Sequence, residues 1–180
     1  YPISETEFSN LAETIILKYK DESILDKCDK KLTEKKPLNY SSTESYKGDW
    51  DLWEAIREII QNSMDTETRI DIYTPNNNTF VIHDNGKGIA TKDFLMGGGT
   101  KANVEISKMY VKDCDPKNMV RGAHGEGMKL TFLVLAKEPK KYKFCLYTRC
   151  VKTTSEFAND KLFDVKTFVA YLEPTTPHKG

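Results

Sequence analysis

No run of apolar residues in this chain of 180 approaches the roughly 20 needed to span a bilayer, and no stretch has the order of a signal peptide. Neither a membrane span nor a secretory leader is expected. An excess of charge is lacking too. The 27 basic and 27 acidic residues cancel, so the net field gives no footprint for nucleic acid or an anionic membrane. Two local basic runs, Lys137, Lys140, Lys141 and Lys143, and Lys27, Lys30, Lys31, Lys35 and Lys36, are read as solvated faces; the second is broken by Asp29 and Glu34. Cysteine is scarce. Cys28, Cys114, Cys145 and Cys150 contain no C-x-x-C pair, and His83, His124 and His178 do not interleave with them at zinc-finger spacing. A zinc module is excluded, and free thiols in a reducing compartment are expected, cytoplasmic or, in a eukaryote, nuclear. There is no internal repeat. The chain opens on Tyr1 rather than Met, which suggests an excised segment.

What is present is a globular composition, 38% hydrophobic and 30% charged, long enough to bury one sizeable core. Ser4 to Glu7 reads as a capping box, and Phe8, Leu11, Ala12, Ile15, Ile16 and Tyr19 follow at helical spacing. That helix must bury one face, on its own domain or on a second copy. Residues 26–48, polar and containing Pro37 and Gly48, read as a loop or linker, dividing the chain into 1–48 and a main domain over 49–180. Asp49 is expected to cap a helix running to about Met64. Its apolar side would hold Leu52, Trp53, Ile56, Ile59, Ile60 and Ser63, with Glu58, Asn62 and Asp65 opposite.

Arg69–Tyr73 and Thr79–Asp84 alternate as a half-buried hairpin about Pro75 to Asn78. Residues 89–121 form a long glycine-containing connection, a candidate lid. A helix from about Gly125 to Ala136 and strands over Tyr142–Thr148 and Leu162–Leu172 complete the expected elements.

Three segments carry chemistry. On the second helix, Glu58 and Asn62 lie one turn apart: the carboxylate can take a proton from an attacking water, and the amide oxygen suits a hard cation such as Mg²⁺. Asp84 ends a strand and opens Asn85-Gly86-Lys87-Gly88, where glycines let the backbone approach a planar ligand and the acid can accept from an exocyclic amine. Gly122-Ala-His124-Gly125-Glu126-Gly127, opening an apolar helix, offers free amides and a helix dipole to an anion. It is not a Walker A loop, because Met128 separates Gly127 from Lys129 and no Ser or Thr follows. Lys129 could reach phosphate or lie on the surface. Each segment alone also fits a plain helix face, turn or packing loop.

Together, E-I-I-Q-N-S-M-D (58–65), D-N-G-K-G (84–88) and G-A-H-G-E-G-M-K (122–129) resemble the N-box and two glycine boxes of the GHKL superfamily: gyrase-type topoisomerases, heat-shock chaperone ATPases, histidine kinases and MutL. Gly99-Thr100-Lys101 resembles the G-T-K stretch at the lid start of the chaperones, and the second glycine box resembles that of the MORC ATPases. The resemblance implies an α/β (α+β) two-layer sandwich of Bergerat type, with a mixed, mostly antiparallel sheet, helices on one face, and ATP with Mg²⁺ under a lid. It implies Glu58 as general base, Asn62 as the Mg²⁺ ligand, Asp84 on adenine N6, Gly86 and Gly88 shaping the pocket, and Asp65 orienting the site. It also implies Gly122 to Gly127 cradling phosphates, with His124 in the lid or cradle and Thr148 as the threonine supporting the adenine site.

The implied activity is ATP hydrolysis with lid closure and dimerisation through the N-terminal segment and lid; the protein client is not readable. Several family members complete the site with a lysine from a following domain. The 180 residues leave no room for one, so turnover by this segment alone is expected to be slow or absent unless Lys101 or Lys129 supplies the charge. The alternative is a nucleotide-gated binding module with negligible turnover. A histidine kinase is disfavoured because no histidine sits on a dimerisation helix.

Overall fold

The computed structural model describes residues 3–46, 48–65, 69–94, 127–139 and 141–180. In chain order the elements are α1 (Glu5–Leu17), a 3-10 turn (Glu22–Lys27), β1 (Lys36–Asn39), α2 (Leu52–Met64), β2 (Ile70–Asn76), β3 (Thr79–Asp84), a second 3-10 turn (Thr91–Phe94), α3 (Gly127–Lys137), β4 (Leu146–Thr148), β5 (Val151–Asp160) and β6 (Val165–Pro174). The fold is α+β, with antiparallel strands throughout: a four-stranded sheet in the order β1-β6-β5-β4 and the β2-β3 hairpin. This is the mostly antiparallel architecture of the Bergerat fold.

The core lies between α3 and the large sheet, where Phe132, Leu133 and Ala136 meet Val151, Phe168 and Leu172, with Phe94 closing one side. α3 is buried on every side from Lys129 to Ala136, as expected of a helix apolar all round. Its other flank, Val134 and Leu135, packs on Ala55 of α2. Thr131 Oγ1 shares its one O–H between Gly127 O (3.0 Å) and, across the seam, Ala55 O (3.2 Å).

Several expectations are corrected. The cap of α2 is Asp51, not Asp49: its side chain accepts from the Trp53 amide at 2.7 Å, and Glu54 returns a bond to the Asp51 amide. Trp53, expected on the apolar side, is 66% exposed, whereas Ala55 is fully buried. The polar stretch 26–48 contains β1, which pairs Lys36 with Leu172 and Asn39 with Val169. Pro37 is tolerated there because β1 is an edge strand. Val151–Asp160, not expected as a strand, is the longest partner of β6. Ile72 and Phe80 of the hairpin are exposed (48% and 49%), since the two-stranded sheet has one uncovered side among the described residues.

α1 begins at the expected Ser4–Glu7 capping box and buries Ala12 and Ile16. Beyond it, Tyr19 stacks on His83 with ring centroids 3.6 Å apart and shares a 3.1 Å hydroxyl contact with Tyr73. Residues 175–180 run beside Thr148 to Cys150 and Tyr19 to Asp21, through bonds such as His178 N to Arg149 O (2.9 Å) and Lys179 N to Tyr19 O (3.0 Å). The expectation of free thiols fails for one pair: Cys28 and Cys150 are disulfide-bonded, Cα atoms 5.5 Å apart across 122 residues. Cys145 is free and partly buried, Cys114 lies outside the described residues, and no described helix is long and apolar enough to cross a membrane.

Candidate functional site

A hydrogen bond joins α2 to β3. Ser63, on the last turn of α2 and 6% exposed, donates its hydroxyl to Asp84 Oδ2 at 2.8 Å. Asp84 Oδ1 accepts from the Gly86 amide, also at 2.8 Å, which folds the chain after β3 into an Asx turn. Both carboxylate oxygens are thus aimed, yet a carboxylate has about four acceptor positions and keeps capacity for a further donor. Asn85 closes the hairpin below, its Oδ1 accepting from the Arg69 amide at 3.1 Å.

The turn ends at Gly88, whose φ of +68° only glycine adopts without strain. A Cβ there would lie 2.7 Å from Gly180 O, 2.8 Å from Arg149 Cγ and 2.8 Å from Thr148 Oγ1. Thr148 is buried; its Oγ1 accepts from the Ile89 amide (2.7 Å) and donates to Gly180 O (3.2 Å). Thr148 therefore reaches the end of the Asp84–Gly88 turn as an acceptor, with its one O–H committed to Gly180 O. Arg149 reinforces the arrangement, Nε donating to Lys87 O at 2.9 Å.

Glu58, one helical turn before Asn62, has a side chain only 18% exposed and accepts from Arg57 Nη2 at 3.3 Å. Its other oxygen lies against the start of α3, where a Cβ on Gly127 would come within 2.2 Å of Glu58 Oε2. The carboxylate and the end of the glycine segment are thereby in contact, as their sequence separation alone could not reveal. Asn62 is half-buried on the same helix. Asp65 is the C-cap of α2, its amide bonded to Gln61 O at 3.0 Å. Lys129 is buried, 4% exposed, which removes the surface alternative for it. Thr100, Lys101, Gly122, His124, Gly125 and Glu126 lie outside the described residues.

Glu58, Gly127, Asp84, Gly86, Gly88 and Thr148 are thus linked through α2, α3 and the turn after β3. Ser63, counted in the sequence only as an apolar-side position, and Arg149 were missed. Ser63 had the signal of a polar residue on a buried stripe; Arg149 had none. Chemically, the arrangement offers a fixed acceptor beside a glycine turn and a carboxylate at a helix N-terminus. No group of three or more His, Cys, Asp or Glu positioned for a metal occurs among the described residues. A family model described as histidine kinase-, DNA gyrase B-, and HSP90-like ATPase matches residues 50–156, more than half of the chain. No curated protein and no solved structure matches it.

Proposed function

Because the chain belongs to the family of histidine kinase-, DNA gyrase B- and HSP90-like ATPases, we propose that its ATP-binding domain hydrolyses ATP with Mg²⁺, using Asp84 to hold the base and Glu58 to activate water. The observation that carries this reading is the Ser63–Asp84–Gly86 bonding, 2.8 Å on each side. It fixes an acceptor one hydrogen bond from the helix that bears Glu58 and Asn62. An adenine N6 amine is a donor of the kind Asp84 can still accept, and Gly86 and Gly88 leave the turn without side chains that would block a flat ring.

Glu58 accepts the proton of a water attacking the γ-phosphate, leaving ADP and phosphate as products. Asn62 presents an amide oxygen to Mg²⁺, whose role when bound is to offset phosphate charge. Asp65 orients the end of α2, Lys129 and the Gly122–Gly127 amides face the phosphates, and Thr100, Lys101 and His124 belong to the lid or cradle. Closure of residues 89–121 and pairing of two copies through α1 are part of this reading.

One observation favours a second reading, a nucleotide-gated binding module with little turnover: Glu58 already holds the Arg57 guanidinium at 3.3 Å. Glu58→Gln separates the two. Under the ATPase reading, phosphate release falls at least a hundredfold while ATP affinity stays within a few-fold; release that is negligible in both proteins, with affinity intact, selects the binding module.

A further inference from the structure

A cavity of about 280 Å³ lies against Asn85, Gly86 and Lys87 of the glycine turn, between the Glu22–Lys27 turn and residues 178–180. Its cationic lining residues come from four separate places in the chain: Lys27, Lys87, Arg149 and Lys179. No Asp or Glu lines it, and none of the four cations forms an ion pair within 4.0 Å among the described residues. Asp21, outside the lining, offsets part of the charge of Lys27 and Lys179, but four cations against one acid leave the concavity net positive, and such a cleft concentrates potential and draws in counter-ions. Solvated lysines on a flat face have no need of such convergence.

The walls are held in place. Lys27 precedes Cys28 and Arg149 precedes Cys150, and the disulfide joins those two walls. Arg149 stands at φ +56°, an uncommon conformation for a non-glycine residue. Its guanidinium is oriented by Lys87 O (2.9 Å) and Lys27 O (3.5 Å). Two of its five N–H groups are used in these bonds, leaving three for a ligand. The third wall is set by the Gly86 amide on Asp84 Oδ1, and the fourth by Arg149 N on Gly180 O at 3.1 Å.

We infer that this cavity is an anion site, additional to the nucleotide site with which it shares Gly86, for a small ligand carrying a phosphate or diphosphate group. An oriented guanidinium fork flanked by ammonium groups is the donor set that phosphate oxygens accept from best. At roughly 30 Å³ per water, the volume admits a diphosphate or a sugar phosphate but not a whole nucleoside triphosphate. The inference does not rest on the ATPase reading.

Inorganic pyrophosphate, titrated calorimetrically into the full chain at about 150 mM salt in saturating ATP, tests it. The double variant Lys27→Gln/Lys179→Gln removes two charges from different walls, and each single variant serves should the double variant not fold. Binding of one pyrophosphate that weakens at least tenfold in these variants, with ATP affinity changed less than twofold, is the expected result. Pyrophosphate binding that is absent from the wild-type chain, or unaltered by the substitutions, overturns the inference, as does loss of pyrophosphate binding when ATP is present.

Discussion

Gly127, at the first position of α3, lies so close to Glu58 that a Cβ on it would fall 2.2 Å from Glu58 Oε2. The glycine is what allows this carboxylate to stand at the helix start. Gly127→Ala displaces the far end of a flexible side chain rather than backbone, so the stability cost is small, about 1 kcal/mol or less. Phosphate release, on the proposed role of Glu58, falls tenfold or more because about an ångström of misplacement is costly in a positioned site. Thermal melts and release assays on one preparation check both halves; unaltered turnover contradicts the role of this contact.

Gly88 is a different case. Its φ of +68° and the backbone oxygen of Gly180 at 2.7 Å leave a Cβ nowhere to go. Gly88→Ala combines left-handed strain of about 1–2 kcal/mol with overpacking of about 1–3 kcal/mol. A loss of about 2–5 kcal/mol in urea unfolding is expected, together with weakened ATP binding. A loss below 1 kcal/mol would contradict the tight packing of the turn.

Reduction of Cys28–Cys150 opens a loop of 122 residues, and a staple of that span contributes about 2–5 kcal/mol. Cys28→Ser should lower the unfolding midpoint and abolish its response to reductant. Two cysteines lie in the bond, so reduction of the unfolded chain should add their two thiols to its titration, an increase that Cys28→Ser removes. Cys145 is shielded: loss of water pushes its thiol up to about 11, against a smaller opposing pull from Lys152. In the folded chain it should resist alkylation near pH 8.

His178 sets an acid limit. Burial pulls its imidazole below the ordinary 6.5, while the Thr176 carbonyl on Nδ1, 3.0 Å away, opposes the shift. A depressed folded value means the unfolded chain binds the proton first. The stability tied to neutral His178 is therefore fully present above about pH 6.5 and is lost as pH falls through the folded value. Urea midpoints measured from pH 7.5 downward should decline below 6.5, and His178→Gln should flatten that slope; identical slopes would contradict it.

How much of this was legible in the sequence depended on whether the signal was local. The α1 capping box was readable because Ser4 and Glu7 are three residues apart, and the hairpin because its turn residues are contiguous. Asp51-x-x-Glu54 carries the same signal as Ser4-x-x-Glu7, and Glu54 at the third helical position is what favours Asp51 over Asp49 as the cap. β1 was hidden by Pro37 and lysines that an edge strand tolerates, and β5 by its Thr, Ser and Glu residues, of which Thr153 is fully buried and Glu156 exposed once β6 pairs alongside. In the site, residue types announced Asp84, Gly88 and Glu58. Their partners, Ser63 across 21 residues, Thr148 across 59 to Ile89, and Gly127 against Glu58, are products of the tertiary fold. The Cys28–Cys150 pairing was equally unreadable, since spacing says nothing about which thiols meet.

The most direct test of the account is calorimetric titration of ATP with Mg²⁺ into the wild-type chain and Asp84→Asn. The substitution puts an amide where a donor must be accepted but leaves the size of the side chain unchanged. One ATP bound by the wild-type chain, with affinity reduced at least a hundredfold in Asp84→Asn and a cooperative melt retained at a modestly lower temperature for the one carboxylate acceptor lost, is the predicted result. Equal affinity in the two proteins would contradict the assignment of the base-binding site to Asp84.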